Sequence, residues 1–246
     1  MKTEHITEIV IGKKYAQPLY EVRYCIDGKN GLGESSSRSV ILPPGIPTKD
    51  ELINAFVRDK YSADQMEAIA NNYMLNLSDM NYAAKFIEMQ QWRGMSKALA
   101  YEALISIMDG TEDFDRLGTV RKMIAQYSEN YDMSYNVNAF LVNGVKHWML
   151  KPMRESLMMT LQEFIKADIE VFPFELNGKS YQLPCSMLSE IATQIEIYAT
   201  RCMAVTKGHL AAISALETEV ELDNYDYKVG YPKMLEFEIG NDVETE

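Results

Sequence analysis

Along one stretch of the chain, apolar residues recur at spacings of three and four without a break: Leu188, Ile191, Ile195, Tyr198, Cys202, Val205, His209, Ala212 and Leu216. That rhythm puts them on a single face of an α-helix. With a rise of about 1.5 Å per residue, the helix is some 40 Å long. So regular a stripe has to be covered along its length, by the same chain or by a neighbouring subunit.

A second long helix lies upstream, with Met80, Ala84, Ile87, Gln91, Gly94, Ala98, Tyr101, Ile105 and Met108 on one continuous face. Gly94 at its centre implies close approach of a neighbouring backbone or helix, because glycine inside a helix costs about 0.5–1 kcal/mol relative to alanine. Ser78 or Asp79 can cap its start, and Asp109-Gly110 ends it. Thr111 is then expected to cap a further helix carrying Leu117, Val120, Ile124 and Tyr127 inward. Two shorter helices come earlier. Thr48-Lys49-Asp50-Glu51 is a capping-box pattern ahead of Leu52, Ile53, Phe56 and Val57, and Ser62-Ala63-Asp64-Gln65 repeats it. Residues 5–42 read as strands, because Tyr20, Val22, Tyr24 and Ile26 alternate with Leu19, Glu21, Arg23 and Cys25. Asp27-Gly28 is a turn signal, Gly31 to Ser39 a small-residue loop, and Pro43-Pro44-Gly45 closes the segment.

From Met133 the period changes to two, with Met133, Tyr135, Val137, Ala139 and Leu141 on one side. Asn143-Gly144 is a hairpin signal, and Val145 to Leu150 reads as the return strand. Pro152 suits the first turn of a helix burying Met153, Leu157, Leu161 and Phe164. A second hairpin is expected from Ile169 to Leu176 and Lys179 to Leu183 about Asn177-Gly178, with Pro173 marking an edge or a bulge. The fold class is thus α+β. An N-terminal β segment and helical region occupies 1–131, a hairpin-helix-hairpin-long helix domain 132–240, and an acidic tail 241–246.

Chemistry is harder to find. The formal net charge of −12 repels a phosphate backbone, so specific nucleic-acid binding is not expected. Residues 217–246 hold ten of the acids and only Lys228 and Lys233. No apolar stretch approaches the roughly 20 residues that cross a bilayer, so no membrane contact is expected. Cys25, Cys185 and Cys202 show neither disulfide nor zinc spacing. His5, His147 and His209 stand in separate elements without the i, i+4 spacing that brings two imidazoles to one metal. Asp109 to Asp115 starts like a calcium loop, but Phe114 and Val120 stand where an EF-hand needs Gly and Glu, so the acids read as a helix start. Gly28, Gly31 and Gly33 lack the lysine and following helix of a phosphate cradle. No nucleophile motif is present. The expectation is a non-enzyme without cofactor or metal. Sixteen methionines and fifteen tyrosines suit adaptable contacts between subunits, or a Met-rich core.

One string says more. Asn138-Ala139-Phe140 with Asn143-Gly144, Trp148 and Arg154, then Tyr198-Ala199-Thr200-Arg201-Cys202, His209, Ala215-Leu216, Tyr225-Asp226-Tyr227 and Gly230-Tyr231-Pro232, resembles a domain of unknown function. That domain is found in tail, fibre and other virion proteins of tailed phages and prophages, including crAss-like phages. The resemblance spans about residues 133–237 and brings no catalytic residue with it. It implies a place on or near a virion, after synthesis in the bacterial host cytoplasm. Tyr198, Cys202, His209, Tyr225, Tyr227 and Tyr231 become candidates for a subunit interface or a structural motif. An aromatic turn over the end of the long helix is one such motif.

The expected function is a structural virion protein, a repeated subunit of a neck or tail ring at the head-to-tail connection. Its partners would be itself and other virion proteins, with DNA passing without specific contact. The alternatives are a head- or tail-fibre attachment protein and a phage assembly chaperone.

Overall fold

The computed structural model describes residues 5–14, 17–26, 37–76, 79–133, 137, 139–176 and 179–240. The turns at Asp27-Gly28 and Asn177-Gly178, Gly31 and Gly33, Ser78, Tyr135, Asn138 and the tail 241–246 lie outside them. In chain order the elements are β1 (Ile6–Lys14), β2 (Gln17–Tyr24), β3 (Arg38–Ile41), α1 (Lys49–Lys60), α2 (Ala63–Leu75), α3 (Met80–Ile107) and α4 (Arg116–Asp132). There follow β4 (Phe140–Val142), β5 (Val145–His147), α5 (Lys151–Lys166), β6 (Val171–Leu176), β7 (Lys179–Pro184), α6 (Cys185–Ala215), α7 (Glu219–Asn224) and β8 (Leu235–Phe237). The protein is α+β, with an N-terminal sheet followed by a helical region. Two compact units divide it. Unit 1 takes Met1–Met66, Met89–Asn130 and Gly208–Tyr227, and unit 2 takes Glu67–Glu88, Tyr131–Lys207 and Lys228–Glu246.

In unit 1, β1, β2 and β3 form an antiparallel sheet in that order. The alternation at Tyr20, Val22 and Tyr24 buries all three. They face Leu52 and Phe56 of α1. Helix α1 starts where expected, because the Thr48 side chain accepts from Glu51 N and the Glu51 carboxylate accepts from Thr48 N. Tyr24 meets Phe56 edge-on at 5.1 Å and donates to Asp59 at 2.6 Å, while Trp92 Nε1 donates to the Phe56 carbonyl at 3.0 Å. Ser62 and Gln65 exchange the same pair of capping bonds ahead of α2.

Helix α3 corrects the single-face reading. Trp92, Leu99, Ala100 and Ala103 bury against the sheet and α1, while Ala98 and Ile105 bury with Val120, Met123 and Ile124 of α4. Two cores meet its C-terminal half from different sides, so apolar residues there are needed all round. The close approach at Gly94 is made by a side chain, since a Cβ there would sit 2.5 Å from Asn130 Oδ1. The caps also sharpen. Asp79 Oδ1 accepts from Asn81 N and Tyr82 N at the start of α3. Asp115, rather than Thr111, caps α4: its Oδ1 accepts from Gly118 N at 2.9 Å. Any Cβ at Gly118 would strike that carboxylate.

In unit 2 the hairpin at Asn143-Gly144 forms with both residues at positive φ, 48° and 74°, as a type I′ turn requires. Its strands are Phe140–Val142 and Val145–His147, the second ending before the expected Leu150, while residues 134–136 and 138 of the expected first strand lie outside the described residues. A third strand joins them from far along the chain. Strand β8 pairs parallel to β4, giving the order β5-β4-β8. The Asn143 side chain clips it in place, donating to the Ile239 carbonyl at 2.9 Å and accepting from Ile239 N at 2.7 Å. Strands β6 and β7 form the second hairpin, with Pro173 opposite Gln182. The N-terminal half of α6 lies in the resulting core: Leu188, Ile191 and Ile195 pack with Phe140, Met153, Leu161, Phe172 and Leu183. Helix α7, unforeseen in the acidic stretch, has a full capping box between Thr218 and Glu221.

Candidate functional site

The six candidates fall into two groups. His209, on the last turns of α6, lies with Tyr225 and Tyr227 in unit 1. Its Nδ1 is 2.8 Å from the Tyr225 hydroxyl, and the rings meet edge-on at 5.7 Å. The α7 turn sets this geometry. Arg116 Nε donates to Glu219 at 2.9 Å, Arg121 donates to the Leu216 carbonyl at 2.7 Å, and Leu222 is buried under them. Tyr225 and Tyr227 then pack on the core of α3 and α4. Burial pushes the Tyr225 phenol above its ordinary range.

Tyr198, Cys202 and Tyr231 belong to unit 2. Tyr198 and Cys202 are buried on the apolar face of α6. Tyr231 is half-buried, its hydroxyl 2.9 Å from Thr206 Oγ1, whose single proton is shared between the Cys202 carbonyl at 3.2 Å and the Asp132 carboxylate. The Tyr131 ring lies 5.7 Å from that of Tyr231. Asp132 stands at the same place. Burial pushes its carboxyl up, only partly offset by a hydrogen bond from Thr206, and its Oδ1 is buried with no hydrogen-bond partner. Burial first, then the Asp132 charge, also raises the Tyr231 phenol.

A third cluster was missed by sequence reading. Glu102, on α3, is 1% exposed and accepts four hydrogen bonds. His5 N and Ile6 N donate to Oε2 at 3.0 Å each, His5 Nδ1 lies 3.0 Å from Oε1, and the Tyr127 hydroxyl donates to Oε1. His5 Nδ1 is also 2.9 Å from the Tyr127 hydroxyl. Burial alone would raise the Glu102 carboxyl. The bonds from His5 and Tyr127, the His5 charge and the Ile6 amide outweigh it, and the group ends below the ordinary carboxylate range. The signal available was an acid amid the apolar residues Ala98, Leu99, Ala103 and Ile105 of α3. Nothing in the spacing said what would meet it.

Chemically, these clusters hold chain segments. Glu102 anchors the start of β1, and His209 anchors the segment after α7. Among the described residues no group of three His, Cys, Asp or Glu is placed to hold a metal ion. No helix among them is long and apolar enough to cross a membrane.

Fold and clusters together define an α+β protein whose histidines at 5 and 209 are engaged in internal hydrogen bonds with tyrosines. No protein-family model, curated protein or solved structure matches the chain.

Proposed function

We propose that this chain is a non-enzymatic structural protein of a tailed-phage virion, a repeated subunit of a neck or tail ring at the head-to-tail connection. The observation that carries the reading is the ordered string from Asn138 to Pro232 that resembles the phage domain. The surface of unit 2 supports it. Met187, Ile197 and Met203 are exposed along α6, and Met159 on α5 is 68% exposed. Methionine and isoleucine on a surface favour contact with other protein, and methionine adapts to imperfectly matched neighbours. The net charge of −12 adds a further point, because a negative lumen lets DNA slide past whereas a basic one holds it.

The test is the copy number of the chain in purified particles of the phage encoding it, by quantitative peptide mass spectrometry against the major capsid protein. A low, fixed stoichiometry is expected. Absence from the particle overturns the structural reading and favours an assembly chaperone. Retardation of duplex DNA by the purified protein at physiological salt counts against passive passage.

A further inference from the structure

We propose that the outer edge of β1 pairs antiparallel with β1 of a second copy of this chain, about a two-fold axis at Val10. The strand runs from Ile6 to Lys14, and the sheet order β1-β2-β3 leaves one of its sides without a described strand. A long edge with apolar residues and no proline is a template for another strand. Here Ile9, Val10 and Ile11 are consecutive, and Ile11 is 64% exposed.

Backbone geometry says which groups are offered. The Pro18 and Tyr20 carbonyls accept from Gly45 N and Leu42 N on the β3 side. The odd-numbered residues of β2 therefore bond to β1, through the pairs Glu8↔Arg23, Val10↔Glu21 and Gly12↔Leu19. That leaves the N–H and C=O of Ile9, Ile11 and Lys13 directed outward.

Two copies related by a two-fold axis must place one residue opposite itself. With Val10 at the centre, Ile9 of each copy lies opposite Ile11 of the other, and all four residues bring their outward backbone groups to the new ladder. The same register sets isoleucine beside isoleucine on one face and valine beside valine on the other. The backbone selects the direction: in an antiparallel ladder two residues exchange both N–H···O bonds, which a two-fold axis can repeat, whereas the slanted bonds of a parallel pair cannot be repeated by one. In this register Glu8 lies opposite Gly12, Lys13 opposite Thr7 and Lys14 opposite Ile6, so no like charges face each other, whereas in-register parallel pairing stacks lysine on lysine. A strand edge contributes main-chain bonds more than buried area, so the dimer is a concentration-dependent one. The contact does not rest on the virion reading: a two-fold pair closes at two copies, whereas a ring repeats a head-to-tail contact.

The test uses the full chain with Cys25→Ser as background. Val10 opposite itself is a non-hydrogen-bonded pair, with Cα atoms about 4.5 Å apart, which a disulfide can span. Val10→Cys is expected to give a disulfide-linked dimer under mild oxidation, at least ~10-fold faster than Gly12→Cys, which this register keeps away from its own copy. Ile11→Pro removes an outward N–H without touching the bonds to β2, and should give a monomer in sedimentation velocity with an unchanged circular dichroism spectrum. If that variant misfolds, Ile11→Lys serves the same purpose. Equal cross-linking of Val10→Cys and Gly12→Cys overturns the proposal. So does a chain that stays monomeric at high concentration, or an oligomer that survives the Ile11 substitutions.

Discussion

Two buried carboxylates, one in each unit, behave in opposite ways. Glu102 of unit 1 is more deeply enclosed than Asp132 of unit 2, yet it is the one held below the ordinary carboxylate range. Four donors converge on Glu102, two of them backbone amides at the start of β1. Asp132 has the Thr206 hydroxyl and a bare Oδ1. The supply of donors, rather than depth, decides which protonation state the fold favours. The surfaces differ too. Of the sixteen large apolar side chains exposed among the described residues, twelve belong to unit 2 and four to unit 1. Unit 1 encloses its chemistry, and unit 2 carries most of the exposed apolar side chains.

The largest test of this contrast is Glu102→Ala. It deprives the His5 and Ile6 amides and the Tyr127 hydroxyl of a buried acceptor, and should cost about 3–5 kcal/mol in denaturant unfolding. Amide hydrogen exchange at the start of β1 should rise with it. A cost below ~1 kcal/mol would mean the cluster is ornamental.

Next comes Leu188→Ala in unit 2, where the side chain is fully buried among Phe140, Leu161 and Phe172. About 3 kcal/mol is expected, from lost burial plus the cavity left behind. The hydrogen-exchange pattern at His5 and Ile6 distinguishes it from the first variant.

The smallest effect, and the most discriminating, is the sign of the pH dependence. Glu102, with its lowered value, contributes stability that is present above the ordinary glutamate range and lost as pH falls through its folded pKa. Asp132, with its raised value, contributes stability that is present below the ordinary aspartate range and lost as pH rises through its folded pKa. At neutral pH, Glu102→Gln should therefore destabilise the protein, whereas Asp132→Asn should leave it unchanged or up to ~1 kcal/mol more stable. Denaturation midpoints of both variants between acid and neutral pH would read the two signs. Identical slopes would remove the distinction.

Local features of the fold were legible because each is carried by a few adjacent residues. The capping box at Thr48, the turn at Asn143-Gly144 and the stripe from Leu188 to Cys202 all stand where the residues put them. The cap at Asp115 was harder to place. Thr111, Asp113 and Asp115 are all competent N-caps, and the fold uses the last, whose carboxylate accepts from Gly118 N in space that a Cβ there would occupy. Of the candidate residues, His209 with Tyr225 and Tyr231 with Thr206 proved to be local pairs, 16 and 25 residues apart along the chain.

The sequence by itself determined the starts of α1 and α2, the buried face of α6 from Leu188 to Cys202 and the turn at Asn143-Gly144, because these depend on periodicity and backbone conformation within a few residues. Tertiary structure alone decided that Asn143 would clip Ile239, 96 residues away, and let β8 join β4. It alone decided that Glu102 would meet the amide of His5, 97 residues before it. A hydrogen-bond donor carries no mark of its future acceptor in the residues beside it. That partnership exists only once the packed core has brought distant backbone to a buried carboxylate and excluded the water that would otherwise have served both.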